Sequence, residues 1–156
     1  MHIRDFRESD TPAIIDLYVR SVLQIAPSKY EPQAVQAWAG GEHDAVEWMQ
    51  RMRSAETIVA QERETILGWI EFERSGHLAM LYCSPEAAGT GVAQQLYDTA
   101  VQRAKKLGIA RFFADASLFS ESFFRKNGWN VDERTRVTHN GADFVLARMS
   151  IPLDAS

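Results

Sequence analysis

Gly89 and Gly91 fall one residue apart in the small-residue run Ala88-Gly89-Thr90-Gly91-Val92-Ala93. That run follows Leu81-Tyr82-Cys83-Ser84-Pro85 and leads into a long amphipathic stretch. A strand, a tight turn and a helix start in that order make an anion site out of backbone alone. The first N–H groups of a helix have no intrahelical acceptor, and the macrodipole adds roughly half a positive charge there. The two glycines leave room for a phosphate to approach, so no basic side chain is required. Glycine also punctuates strand-to-helix turns for purely steric reasons, so the surrounding elements must decide between the two readings. Cys83 is the single cysteine. It can form no intrachain disulfide and no cysteine metal cluster, and it reads as a small hydrophobe in a buried strand. No metal is expected.

The elements that would hold this junction follow from periodicity. Residues 3–6 suggest a first strand. Ser9-Asp10-Thr11-Pro12 then supplies a cap and an early proline before Ile14, Leu17, Tyr18 and Ser21 recur at helical spacing. The pattern breaks around Pro27. Residues 31–38 read as a short helix closed by Gly40-Gly41, and Val46, Met49 and Met52 mark a further helical face. This region would wall a substrate pocket. Residues 57–61, 66–73 and 77–83 are strand-like and separated by short polar connections, which predicts an antiparallel meander. Val92, Leu96, Ala100, Ala104 and Leu107 keep one helical face that ends at Gly108. Residues 111–116 read as a strand and 120–127 as a short helix stopped by Gly128. Residues 129–138 and 142–149 read as a hairpin across Asn140-Gly141, a strong turn signal. Strands 77–83 and 111–116 flank a crossover helix and are expected to be parallel neighbours. The expected fold is α/β, a mixed and mostly antiparallel sheet of about seven strands with helices on both faces.

Composition narrows the function. A chain of 156 residues that is 46% hydrophobic is the usual size of one compact domain, taken here as residues 1–156. No apolar run is long enough to span a bilayer, and Met1-His2-Ile3-Arg4-Asp5 lacks the order of a signal peptide, so a soluble, cytoplasmic protein is expected with no membrane partner. The net charge is -4, the four histidines are scattered and no basic cluster interleaves with aromatics. Nucleic acid is therefore not expected as a partner.

With these elements in place, the chain resembles the GNAT superfamily of acyl-CoA-dependent N-acyltransferases over nearly its whole length. Ala88-Gly89-Thr90-Gly91-Val92-Ala93 after Leu81-Tyr82-Cys83-Ser84-Pro85 is similar to the core motif of that family, and Phe123-Phe124-Arg125-Lys126-Asn127-Gly128-Trp129 is similar to its Phe-Tyr-x-x-x-Gly-Phe segment. Lys29-Tyr30-Glu31-Pro32 with Ala37-Trp38-Ala39 resembles the YafP-like bacterial branch. The resemblance implies acetyl-CoA as cosubstrate. The backbone N–H groups of Gly89, Thr90, Gly91, Val92 and Ala93 would hold its pyrophosphate. The strand segment Leu81, Tyr82 and Cys83, through the backbone of Leu81 and Cys83, would pair with the pantetheine amides as an added strand at a splay in the sheet. Phe119, Phe123 and Phe124 would pack on the thiol end, with Ser117 beside them.

Three positions depart from the family pattern. Ala88 stands where Gln or Arg is usual, which shifts the load to backbone donors. Ser117 replaces a common Asn. Phe124 occupies the position of the Tyr that protonates the departing thiolate in many members. A thiol with a pKa near 8.5 leaves tolerably without that help, with solvent, Ser117 or Ser120 as substitutes. Direct transfer also needs a base, because an alkylamine is mostly protonated at neutral pH. His77 is the first candidate, expected on one strand face with Ala79, Leu81 and Cys83. Glu71 is second and Asp115 third.

The resemblance therefore implies an N-acetyltransferase that moves an acetyl group from acetyl-CoA to a primary amine of a small molecule or protein, with a homodimer left open. A noncatalytic acyl-CoA-binding or regulatory domain is the alternative, motivated by Phe124. A nucleotide-binding module lacks both a P-loop lysine and repeated strand-helix units.

Overall fold

A computed structural model describes residues 1–25, 31–40, 43–139 and 141–153. Lys29 and Tyr30 of the branch motif, Pro27, Gly41 and Asn140 lie outside the described residues. The element order is β1 (His2–Asp5), α1 (Thr11–Ile25), α2 (Pro32–Ala39), α3 (Ala45–Ser54), β2 (Glu56–Glu62), β3 (Thr65–Phe72), β4 (Leu78–Cys83), α4 (Val92–Lys106), β5 (Arg111–Ala116), α5 (Glu121–Lys126), β6 (Asn130–His139) and β7 (Ala142–Pro152). Short 3-10 turns at Glu8–Asp10 and Pro85–Ala87 lead into α1 and toward α4.

The seven strands form two antiparallel sheets, β1-β2-β3-β4 and β5-β7-β6. The expected parallel neighbours β4 and β5 touch at a single bridge, His77 with Phe113, where the Phe113 N–H donates to Gly76 O at 3.0 Å. Beyond that point they part, so the expected single sheet is split by a cleft that opens toward Cys83 and Ala116. Two local features shape this junction, one holding the strands together at its closed end and one bending β4. Gly76 has φ +98°, and a Cβ there would stand 2.2 Å from the Arg111 carbonyl oxygen, so only glycine brings the strands this close. In β4, Glu71 pairs with Met80 and Phe72 with Leu78, which leaves Ala79 without a partner. This β-bulge bends the strand and increases its twist.

Helices cover the first sheet on both faces. Ile58, Ala60, Ile70 and Phe72 point into a core shared with α4, whereas Val59 and Trp69 point into a second core under α1, α2 and α3. The strands are therefore apolar on both faces, as a doubly covered sheet requires. In the second sheet Phe112, Ala114, Ala147 and Met149 join the α4 core, and the opposite face carries Asp115, Arg148 and Glu133 in exposed ion pairs. In α3 the buried pair is Trp48 and Met52 and Val46 is exposed, which corrects the expected face. The Asp44 carboxylate caps that helix by accepting the Val46 N–H at 2.8 Å. β6 and β7 pair as the expected hairpin, with His139 opposite Ala142 and φ +80° at Gly141.

Candidate active site

The candidate anion cradle is the turn after β4. The Ala87 and Ala88 amides donate back to Ser84 O and Pro85 O, and the Thr90 N–H donates to Ala87 O at 3.1 Å, as does the Thr90 hydroxyl. Gly91 then caps α4 in the left-handed region at φ +87°, and the first helical bond runs from the Gln95 N–H to Gly91 O at 3.1 Å. The amides of Gly89, Gly91, Val92, Ala93 and Gln94 consequently have no acceptor among the described residues. Two corrections to the expected donor set follow. The Thr90 amide is consumed by its own turn, and Gln94, overlooked in the sequence, supplies a donor. The rule that the first four helical N–H groups are orphaned was the signal that could have found it. A Cβ on Gly89 or Gly91 would meet nothing within 4 Å, so space remains above both. The Gln94 side chain donates to Asn127 Oδ1 at 2.8 Å and buttresses the cradle against the end of α5.

The edge of β4 continues from the cradle into the cleft. The Ser84 N–H donates to Leu67 O at 2.7 Å, which fixes the phase of the ladder with β3. By antiparallel alternation Leu81 and Cys83 turn their N–H and C=O groups away from β3, toward the cleft. Of these, the Cys83 carbonyl accepts a bond from Ser21 Oγ of α1 at 3.1 Å. The Leu81 and Cys83 side chains pack on the α4 core. Tyr82 lies on the other face, stacked on Trp69 with ring centroids 5.4 Å apart. Gly68, another residue the sequence reading missed, lets β3 approach: a Cβ there would be 2.7 Å from Tyr82 O. Burial pushes the Cys83 thiol up to about 12, so it is not a thiolate nucleophile at neutral pH.

Aromatic residues close the far wall. Phe124 is 4% exposed, and its ring lies 4.4 Å from that of Trp129, whose indole N–H donates to Tyr97 Oη at 2.8 Å. Phe124 is thus a core residue with no proton to give. Phe123 is partly buried against Tyr97, and Phe119 is exposed. The Ser117 and Ser120 hydroxyls are 3.1 Å apart and each accepts the other's backbone N–H, which commits both to the turn before α5.

Among the three candidate bases the geometry differs sharply. Glu71 is 1% exposed and gripped by the Arg51 guanidinium at 2.7 and 3.1 Å, while Trp69 Nε1 donates to it at 3.3 Å. Arg51 itself stacks 4.4 Å over the Trp48 ring. Buried and holding three donors, this carboxylate is a structural ion pair rather than an accessible base. Asp115 is exposed and faces Arg148 at 3.6 Å, away from the α4 core. His77 sits at the closed end of the cleft with its ring stacked on Phe113, centroids 5.3 Å apart, and its Nδ1 3.3 Å from Glu73 Oε2. Among the described residues no partner engages its Nε2. Its expected face is corrected: the bulge at Ala79 breaks the two-residue alternation, so Leu78 joins Leu81 in the α4 core and His77 points to the opposite side with Phe113. Among the described residues no group of His, Cys, Asp or Glu could hold a metal ion, and no helix is long and apolar enough to cross a membrane.

Residues 26–151 match the family model described as an acetyltransferase (GNAT) domain. The chain is 26% identical over 144 residues to the uncharacterized N-acetyltransferase YafP of Escherichia coli strain K12, covering 92% of this chain and 91% of that one. A GCN5-related N-acetyltransferase from Rhodopseudomonas palustris, also described as a class-II aminotransferase, superposes with a TM-score of 0.91 at 25% identity, over 97% and 95% of the two chains. YncA from Salmonella typhimurium, solved with its cofactor acetyl-CoA, superposes with a TM-score of 0.75 at 19% identity, over 99% and 94% of the two chains.

Proposed function

The chain belongs to the GNAT acetyltransferase family and is an acyl-CoA-dependent N-acetyltransferase; we propose that it moves the acetyl group of acetyl-CoA directly to a primary amine of a small molecule or protein. The observation that carries this reading is continuity. Unpaired amides at Gly89, Gly91, Val92, Ala93 and Gln94 run into the outward backbone of Cys83 and Leu81, which aligns a diphosphate site and a strand edge along one extended ligand. The diphosphate rests on the start of α4, and the pantetheine arm lies along β4. Its thioester then lies toward the closed end, where His77 stands.

The acceptor nitrogen attacks the thioester carbonyl carbon with its lone pair and forms the C–N bond. The C–S bond breaks, and the sulfur leaves with the electron pair. His77 Nε2 takes the proton of the attacking amine, directly or through one water. Glu73 beside Nδ1 orients the ring. Solvent protonates the departing thiolate, since Phe124 has no proton and Ser117 and Ser120 are bonded to each other. The raised Cys83 thiol argues against an acyl-cysteine intermediate and for direct transfer. The protein acts as one domain over residues 1–156.

The test is CoA release from acetyl-CoA in the presence of a panel of primary amines, with initial rates measured against both substrates. Intersecting patterns and amine-dependent turnover are expected. Acetyl-CoA binding without any thiol release would instead favour a noncatalytic acyl-CoA sensor.

A further inference from the structure

The cradle lacks a side chain at Ala88, and the structure places a candidate replacement on a different element. Arg20 of α1 is the residue just before Ser21, whose Oγ donates to the Cys83 carbonyl at 3.1 Å and pins this part of α1 beside the end of β4. The Arg20 guanidinium reaches Glu86 in the turn Pro85–Ala87, two residues ahead of Ala88, with Nη1 3.4 Å from each carboxylate oxygen. Among the described residues it is the one lysine or arginine with a bond to the 84–94 segment.

Its two ends are held differently. Nε donates to Asp16 one helical turn back at 2.8 Å, a short bond that fixes the stem. The Nη1 end has only the two long contacts to Glu86, whose side chain is 69% exposed. A solvated carboxylate at such a distance is a weak partner and is cheaply exchanged. A diphosphate accepts two parallel N–H bonds from a guanidinium and carries two negative charges to the carboxylate's one.

We propose that Arg20 is a cofactor-binding residue that donates to the diphosphate of acyl-CoA in place of the side chain absent at Ala88, and that Glu86 is the anion it releases on binding. The assignment rests on the acyl-CoA reading above. Without a ligand, the pair also neutralises a negative charge at the mouth of the cradle that would otherwise repel the diphosphate.

Titration calorimetry with CoA, dephospho-CoA and acetyl-pantetheine, on the wild type and on Arg20→Ala, Arg20→Lys and Glu86→Gln, tests it. Arg20→Ala is expected to weaken CoA and dephospho-CoA alike by about tenfold, the size of one charge-assisted bond. Arg20→Lys recovers part of that loss, and Glu86→Gln tightens CoA by about twofold because no anion competes. With acetyl-pantetheine, which has no diphosphate, the ratio of wild type to Arg20→Ala falls to near one. Unchanged CoA affinity in Arg20→Ala overturns the proposal. So does a penalty that vanishes with dephospho-CoA, which would assign Arg20 to the 3′-phosphate. An equal loss with acetyl-pantetheine would mean that the substitution disturbs α1 and also overturns it. A wild type that binds no CoA sinks the acyl-CoA reading itself, a result separable from all of these.

Discussion

The two ends of the β4/β5 cleft are made of the same materials, a glycine at positive φ beside a strand terminus, and they do opposite things. At the closed end Gly76 is needed because there is no room: a Cβ would be driven into the Arg111 carbonyl. At the open end Gly89 and Gly91 face empty space, with positive φ at each and unpaired amides around them. One glycine removes a side chain so that two backbones can meet. The others bend the chain and leave several amides without an acceptor among the described residues. A structural glycine and a binding glycine are therefore told apart by what a Cβ would touch.

That contrast can be broken experimentally. Gly76→Ala should be the most damaging change, since it combines a clash with a strained φ. A loss of about 3 kcal/mol in denaturant-measured stability is expected, and near-wild-type stability would mean the strands do not need to touch there. His77→Ala at the same end should lower kcat by about a hundredfold, the lower range for a general base, while CoA affinity stays within about twofold of wild type. Equal turnover would remove His77 from the reaction. Gly91→Asp at the open end should reverse the balance. CoA affinity drops about thirtyfold from a negative charge beside the diphosphate, whereas stability drops only by about 1 kcal/mol from the φ strain. If stability fell as far as in Gly76→Ala, the distinction between the two ends would fail.

The smallest effect concerns the roof of the open end. Glu121 in α5 accepts two bonds from Arg134 of β6, at 2.8 and 2.9 Å, and one from Arg125 at 2.9 Å. The bonds from Arg134 first, then Arg125, lower its carboxyl from an ordinary 4.5 to about 2. A carboxyl held low in the folded state stabilises above its unfolded value, so this contribution is complete above pH 4.5 and is lost as the pH falls toward about 2. Both arginines are solvent-accessible, which limits the contribution to about 1 kcal/mol. Glu121→Gln should lose that amount at pH 7 in urea melts and show a flatter stability profile between the two values. A parallel profile would discard the coupling.

Much of this molecule was legible before any coordinates. The three-strand meander, the α4 face through Leu96 and Ala100, the hairpin of β6 and β7 and the glycine-rich junction between β4 and α4 all follow from local periodicity and turn chemistry. Glu71 was harder. Between Trp69 and Glu73 it reads as one acidic position on an alternating strand, yet it is buried because Arg51, twenty positions earlier on α3, lands on it. The face of His77 was misread for a related reason. A bulge at Ala79 is set by how β4 meets β3, and no residue in β4 announces it.

The sequence by itself determined which backbone segments would be strands, which would be helices, and that a helix start with unfilled amides follows β4, because those properties depend on side-chain periods and φ preferences within a few residues. Tertiary structure alone decided where the sheet splits, which carboxylate is buried and which ring the His77 imidazole stacks on. These depend on contacts between segments far apart in the chain, such as Gly76 with Arg111, Arg51 with Glu71 and Ser21 with Cys83. Their energies appear only when the two partners are brought together.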